Sequence, residues 1–297
     1  MIEFRNVYAS YSPELPILQD VSFIIEDGEF VAFVGTNGAG KSTTMRLVNG
    51  LIKPDAGEVL LDGVRTTDLK TSEIARKVGF LFQNPDSQIC CGTVREELMF
   101  GFRALGMKGA ECEERVDRII EEFGFGPDDD PFLLNRGTRQ LLALASIVVL
   151  APPVVVLDEP TTGLDFRECV KVMDILRDLH EAGTTVVMVC HDMEVVADFA
   201  SRAIVMSQGR IVDDGPTFDV LRNRDTLERA SLIPPQIVDI SLSLCESHPQ
   251  LAGTPLGCAN TLNEMQAAVE QACGMEATVT PRFAGAPGAE DAEGGIL

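Results

Sequence analysis

The sequence predicts an α/β fold: a parallel sheet with helices on its faces. Three observations predict it. Glu29–Val34, Val154–Asp158 and Thr184–Cys190 are short, nearly unbroken apolar runs, the pattern of strands buried on both faces. A helical stretch over about 166–182 separates the last two, and strand–helix alternation gives parallel pairing. The first run passes through Gly35-Thr36-Asn37-Gly38-Ala39-Gly40-Lys41-Ser42, reading G-x-x-x-x-G-K-S, into a helical run. Glycines let backbone N–H groups curl around a polyphosphate, and the next helix turns its N-terminus to the anion. Lys41 supplies a point charge, and the Ser42 hydroxyl, followed by Thr43, can coordinate Mg²⁺. A bound nucleoside triphosphate is the expectation.

In chain order, Ile2–Val7 alternates apolar and polar and reads as a strand, followed after a Pro-containing loop by Val21–Ile25. Glu58–Leu61 and Val78–Phe82 are further short strands. From about 93 to 150 the pattern turns helical. Within it Val116, Ile119, Ile120 and Phe123 form one apolar face. Leu141–Leu157 is the longest apolar run. Pro152-Pro153 breaks it into a buried helix and a buried strand, and it is shorter than the ~20 residues of a membrane span. After 225 the character changes. Pro234-Pro235 breaks the chain, Ile237, Ile240 and Leu244 sit at helical spacing, and Thr261 with Glu264 predicts a capping box. That box opens a helix with Leu262, Met265 and Val269 on one face. The organisation read from this is a main domain over 1–225 with a helical subdomain at about 88–150. A small appended domain over 226–283 and an acidic Gly/Ala/Pro-rich tail over 284–297, expected to be disordered, complete it.

Among 297 residues the formal net charge is −22, which argues against nucleic acid and anionic lipid as main partners. The opening Met1-Ile2-Glu3-Phe4 lacks the basic-then-apolar pattern of a leader. Eight cysteines form no C-x₂-C pair, and free thiols of a reducing compartment are expected; Cys112, Cys169 and Cys190 read as small core residues.

The strand Val154–Leu157 ends in Asp158 and Glu159. A buried parallel strand delivers such residues to the ligand crevice. Asp158 is placed to hold Mg²⁺ and Glu159 to polarise an attacking water. Gln83 ends another strand and can reach the metal or the water, and His191 ends Thr184–Cys190, where a γ-phosphate contact is natural. Asp165 closes Thr161-Thr162-Gly163-Leu164-Asp165. Tyr11, read as lying in a loop, can stack on adenine; Tyr8 is the alternative, with a plain surface role the stronger reading for it.

This set resembles the nucleotide-binding subunit of an ABC transporter: the phosphate loop 35–43, the glutamine loop at Gln83, Asp158-Glu159, the loop ending at Asp165 and the switch histidine His191. The resemblance implies the P-loop NTPase ABC ATPase fold over 1–225. That fold has a RecA-like parallel sheet core, N-terminal antiparallel strands and a helical subdomain. A narrower resemblance is to ATPase (A) subunits of energy-coupling factor (ECF) importers of vitamins or transition-metal ions. Phe82-Gln83-Asn84-Pro85-Asp86-Ser87-Gln88, Thr93–Gly101 and a C-terminal domain opening near Leu232–Gln236 carry it. It implies ATP hydrolysis with Mg²⁺, a second ABC ATPase subunit, a membrane coupling protein, a substrate-binding membrane protein, and a place on the cytoplasmic face of the membrane.

The chain departs from the family at the signature loop that completes a partner's ATP site. Where the family has L-S-G-G-Q, Leu134-Asn135-Arg136-Gly137-Thr138 keeps the leucine and one glycine. Asn135 can still offer an amide, and Arg136 can pair with a phosphate oxygen or hold the interface open. Losing one donor to a developing charge costs about 3–4 kcal/mol. A heterodimer with an intact-signature partner follows as the expectation, a homodimer being the alternative. A catalytically weak regulatory subunit and the ATPase of another ABC importer type are the competing functions.

Overall fold

A computed structural model describes residues 1–12 and 15–274. The expected acidic tail at 284–297 lies outside them. The first strands, β1 (Ile2–Ser12) and β2 (Leu15–Ile25), alternate inward and outward side chains and pair antiparallel. β3 (Phe30–Gly35) is buried along its whole length and feeds α1 (Lys41–Val48). β4 (Ala56–Leu61) and β5 (Val64–Arg65) join the first pair as a four-stranded antiparallel sheet in the order β2-β1-β4-β5. After the one-turn α2 (Thr71–Ile74) comes β6 (Val78–Leu81), ending one residue before the expected Phe82.

The helical stretch comprises α3 (Val94–Ala104), α4 (Ala110–Phe123) and α5 (Arg136–Val148). Strand and helix then alternate as β7 (Val154–Asp158), α6 (Phe166–Glu181), β8 (Thr185–Val189) and α7 (Met193–Phe199). β9 (Arg202–Ser207) and β10 (Arg210–Pro216) form a hairpin, followed by α8 (Thr217–Arg222) and α9 (Arg224–Ala230). The second sheet runs β10-β9-β3-β8-β7-β6, parallel except for its edge strand β10.

β3 shows why its run is unbroken. Phe30, Ala32 and Val34 pack into the core under α5, α6 and α7, while Val31 and Phe33 pack into the core shared with the antiparallel sheet and α1. α5 is apolar nearly all round for the same reason. Leu141, Leu144 and Ile147 face the sheet; Leu142, Ala145 and Val149 join Val94, Leu98, Phe102, Val116 and Ile119 in the helical subdomain's own core.

The chain divides into two compact units after Gln236. The break read from sequence stood at 225. α9 moves it, because Leu227 and Ala230 are buried in the main core. The second unit carries α10 (Gln236–Ser247) from its second residue on, with α11 (Pro255–Cys258) and α12 (Leu262–Cys273). The capping box of Thr261 and Glu264 forms as predicted. The predicted helix faces do not. In α10 the buried positions are Val238 and Ser241, with Ile240 exposed, and in α12 Ala268 is buried while Leu262 and Val269 are exposed. A short polar residue, Ser241, is thus among the buried positions of α10, and a small one, Ala268, is the buried position of α12. Among the described residues no helix is long and apolar enough to cross a membrane.

Candidate functional site

Four loops that leave the C-terminal ends of adjacent parallel strands build the site. Because the sheet order is β3-β8-β7-β6, the segment after β3 carries Lys41 and Ser42, that after β8 His191, the end of β7 Asp158 and Glu159, and that after β6 Gln83. Strands about 4.8 Å apart therefore set these groups side by side along one edge. Tyr11, Lys41, Ser42, Gln83, Glu159 and His191 line a common cleft of about 890 Å³.

The loop after β3 is shaped by two glycines. At Gly35, φ is +137° and a Cβ would stand 2.0 Å from the Met206 carbonyl oxygen; at Gly40, φ is +104° and a Cβ would meet Leu18 Cδ2 at 2.5 Å. Thr36, Asn37 and Gly38 are exposed at the tip, where Gly38 has φ +80°; Ala39 is buried and its N–H donates to Thr36 O (3.1 Å). Lys41 Nζ donates to the carbonyls of Gly35 (2.7 Å) and Thr36 (3.0 Å). Burial pushes the Lys41 ammonium's pKa down, against the pull of Glu159 and Asp158. Ser42 Oγ donates to Asp158 Oδ1 at 2.9 Å, joining α1 to β7. Asp158 is 4% exposed; burial pushes its carboxyl up, the Ser42 hydrogen bond opposes this, and Glu159 adds repulsion.

Glu159 has φ +53°, the left-handed region, which a non-glycine residue occupies only when its surroundings hold it there. Its N–H donates to Val189 O (3.1 Å), and its Oε2 accepts from Gln83 Nε2 (2.8 Å) and Thr162 Oγ1 (3.0 Å). His191 Nδ1 lies 3.8 Å from the same oxygen. Tyr11 lies on β1, not in a loop as expected. Its hydroxyl accepts from Arg46 Nη1 (3.0 Å) and sits 3.4 Å from the buried Thr43's Oγ1, and the residue as a whole is 55% exposed. Tyr8 does not line it.

The remaining predicted residues lie at the ends of α5 and α6. Asn135 caps α5, its Oδ1 accepting from Thr138 N (2.8 Å). The oxygen of the expected amide group is thus committed to its own helix. Gly137 is buried against Glu168, whose carboxylate fills the space a Cβ would take. Asp165 caps α6 and accepts from Glu168 N (2.9 Å). Arg136 turns its guanidinium onto Gly163 and Thr162 of its own chain.

The comparisons agree with this geometry. The ABC transporter family profile matches residues 18–162. The ATP-binding protein EcfA of an energy-coupling factor transporter from Methanothermobacter thermautotrophicus is 40% identical over 244 residues, 81% of this chain and 78% of that protein. The chain belongs to the ABC transporter ATP-binding proteins. EcfA2 from Clostridium perfringens is 39% identical, over 80% of this chain and 87% of its own length. Among solved structures, cbiO1 from Clostridium perfringens, part of the ABC transporter complex cbiONQ, superposes with a TM-score of 0.67 at 27% identity. It covers 84% of this chain and 96% of its own. The dimeric ATP-binding cassette MJ0796 bound to ADP and Pi gives 0.65 at 32% identity, with 73% and 99% covered. This ABC protein is therefore an ATPase whose hydrolysis is coupled to transport.

In this ABC ATPase, sequence reasoning missed three groups. Thr162, quoted only as part of a loop, donates to Glu159. Gln140 is 2% exposed and donates to Pro160 O (3.3 Å). Arg46 lies one helical turn beyond Ser42 on α1, a spacing that does place both on one side. Cys112 and Cys190 are buried as expected, and Cys169 is partly buried. Cys90, Cys91 and Glu97 form a close group, their ligand atoms within 4.8 Å of one another. There the buried Glu97 accepts the N–H groups of Cys90 (2.9 Å) and Cys91 (2.8 Å), and burial, then Glu97, pushes the Cys91 thiol up to about 12. With that thiol held neutral and the carboxylate used by backbone, the group locks a loop.

Proposed function

We propose that this chain is the ATPase of an ECF-type importer of a vitamin or transition-metal ion, and that it works in an asymmetric heterodimer at the cytoplasmic face of the membrane. The observation that carries the catalytic part is the alignment of Lys41, Ser42, His191, Asp158, Glu159 and Gln83 along the ends of four adjacent strands. In this reading residues 35–43 bind the ATP phosphates, Lys41 leaving the loop carbonyls for the β- and γ-phosphates. Tyr11 stacks on adenine. Glu159, held by Gln83 and Thr162, takes the proton of the attacking water, and His191 donates to the γ-phosphate.

Mg²⁺ fits the site. Ser42 Oγ and Asp158 Oδ1 are hard oxygens already 2.9 Å apart, and the buried Asp158 carboxyl, raised by desolvation, is stabilised by a cation. Ser42 and Asp158 would hold the ion, with Gln83 beside them. When bound it neutralises charge on the phosphates.

The names of the relatives EcfA and EcfA2 support the importer type, as does the Phe82–Gln88 stretch. The altered loop Asn135-Arg136-Gly137-Thr138 supports the heterodimer, since the partner's ATP would meet it in trans. Replacing Glu159 by Gln tests the catalytic reading: turnover drops about 10²- to 10⁴-fold while ATP stays bound. Turnover at the wild-type rate refutes it. Robust cooperative hydrolysis by the pure homodimer refutes the heterodimer. The regulatory alternative predicts slow turnover in every assembly.

A further inference from the structure

The turn that begins at Glu159 needs support from outside itself. Glu159 sits in the left-handed region, and Gly163 follows at φ +77°. The N-terminal part of α5 meets this turn and the start of α6 behind it at three points. Gln140, buried, donates to Pro160 O (3.3 Å). Gly137 lets the Glu168 carboxylate pack against the helix N-terminus, where a negative charge is favoured. Arg136 lays its guanidinium on Gly163. A Cβ there would stand 3.0 Å from Arg136 Cζ and Nε, and Arg136 Nη2 lies 3.5 Å from Thr162 O. Thr162 is the residue whose hydroxyl donates to Glu159 Oε2.

We propose that Arg136 is a positioning residue for ATP hydrolysis: it clamps the Thr162–Gly163 peptide of its own chain and so orients the Glu159 carboxylate through the Thr162 hydroxyl. The residue that departs from the family's signature loop then serves this chain's own base in cis. A glycine at 136 could not reach the turn. The proposal rests on Glu159 acting as the base, and its two measurements separate the claims.

The first is amide hydrogen exchange over residues 159–165 of the full-length chain without nucleotide, which does not depend on turnover. Arg136→Gly accelerates exchange about fivefold or more, and Arg136→Lys stays near wild type because its ammonium still reaches Thr162 O. Unchanged exchange in Arg136→Gly overturns the clamp.

The second is steady-state hydrolysis in the assembled transporter. Arg136→Gly lowers kcat about tenfold with KM for ATP unchanged, and Arg136→Lys recovers most of the loss. Thr162→Val, which leaves α5 untouched, reproduces the loss. Arg136→Gly adds nothing further in a Glu159→Gln background. A rise in kcat on Arg136→Gly means the side chain obstructs dimer closure, and a change confined to KM means a phosphate contact; either overturns the proposal. Wild-type turnover by Glu159→Gln refutes the base and leaves the exchange result standing.

Discussion

At the scale of one residue, Asp158 sets burial against charge. Its carboxyl is pushed up by burial, only partly offset by the Ser42 hydrogen bond. A carboxyl whose folded-state pKa is raised contributes stability below its unfolded-state pKa and loses it as pH rises through the folded value. Asp158→Asn keeps the shape and removes the charge, so in nucleotide-free protein it raises the melting temperature at pH 7, by about 2–4 °C per kcal/mol relieved. Calorimetry at falling pH shows the gain shrinking as the wild-type carboxyl protonates, while hydrolysis is lost at every pH. A lower melting temperature at pH 7 contradicts the assignment. Gly35 marks the opposite case. With Met206 O 2.0 Å from its would-be Cβ and φ at +137°, Gly35→Ala prevents the loop from closing, read as loss of ATP binding by calorimetric titration.

At the scale of the element, α5 is the member on which the others depend. Its two apolar faces tie the sheet to the helical subdomain, and its N-terminus meets the turn after β7. The Asn135 cap starts it. Asn135→Ala therefore costs about 1 kcal/mol, whereas Asn135→Ser, which keeps an acceptor for Thr138 N, costs a few tenths. Urea unfolding of the two variants checks the difference. An equal loss in both would mean that the side chain does something other than cap.

For the whole molecule, the cleft presents the loop 35–43, Glu159 and His191 on a single sheet edge, while Asn135–Thr138 lie at the start of a different helix. Under the proposed function, each chain would bring one complete half-site and one altered half-site to a dimer. Light scattering of Glu159→Gln with Mg-ATP is expected to show a monomer when this chain is alone. A stable dimer is expected once an ATPase subunit with an intact signature is added. A tight ATP-dependent homodimer of this chain alone would return the reading to the symmetric assembly.

The apolar runs, the loop Gly35–Ser42 and the pair Asp158-Glu159 were legible in sequence because each rests on local rules: strand burial, glycine backbone freedom, and the delivery of residues at a strand's end. The helix faces of α10 and α12 were misread by one residue or more, and the domain break was placed too early at 225. In those segments spacing alone does not say which side meets a neighbour. Tyr11 lines the cleft from a strand and not from the expected loop, because β1 runs on to Ser12. The sequence by itself determined the fold class and the chemical groups of the site. Only the tertiary structure decided that Thr162 and Gln83 share Glu159, that Asn135 is spent on its own helix, and that Arg136 turns back onto its own chain. Those contacts join residues far apart in the chain, and the sheet order and the seat of α5, not spacing, bring them together.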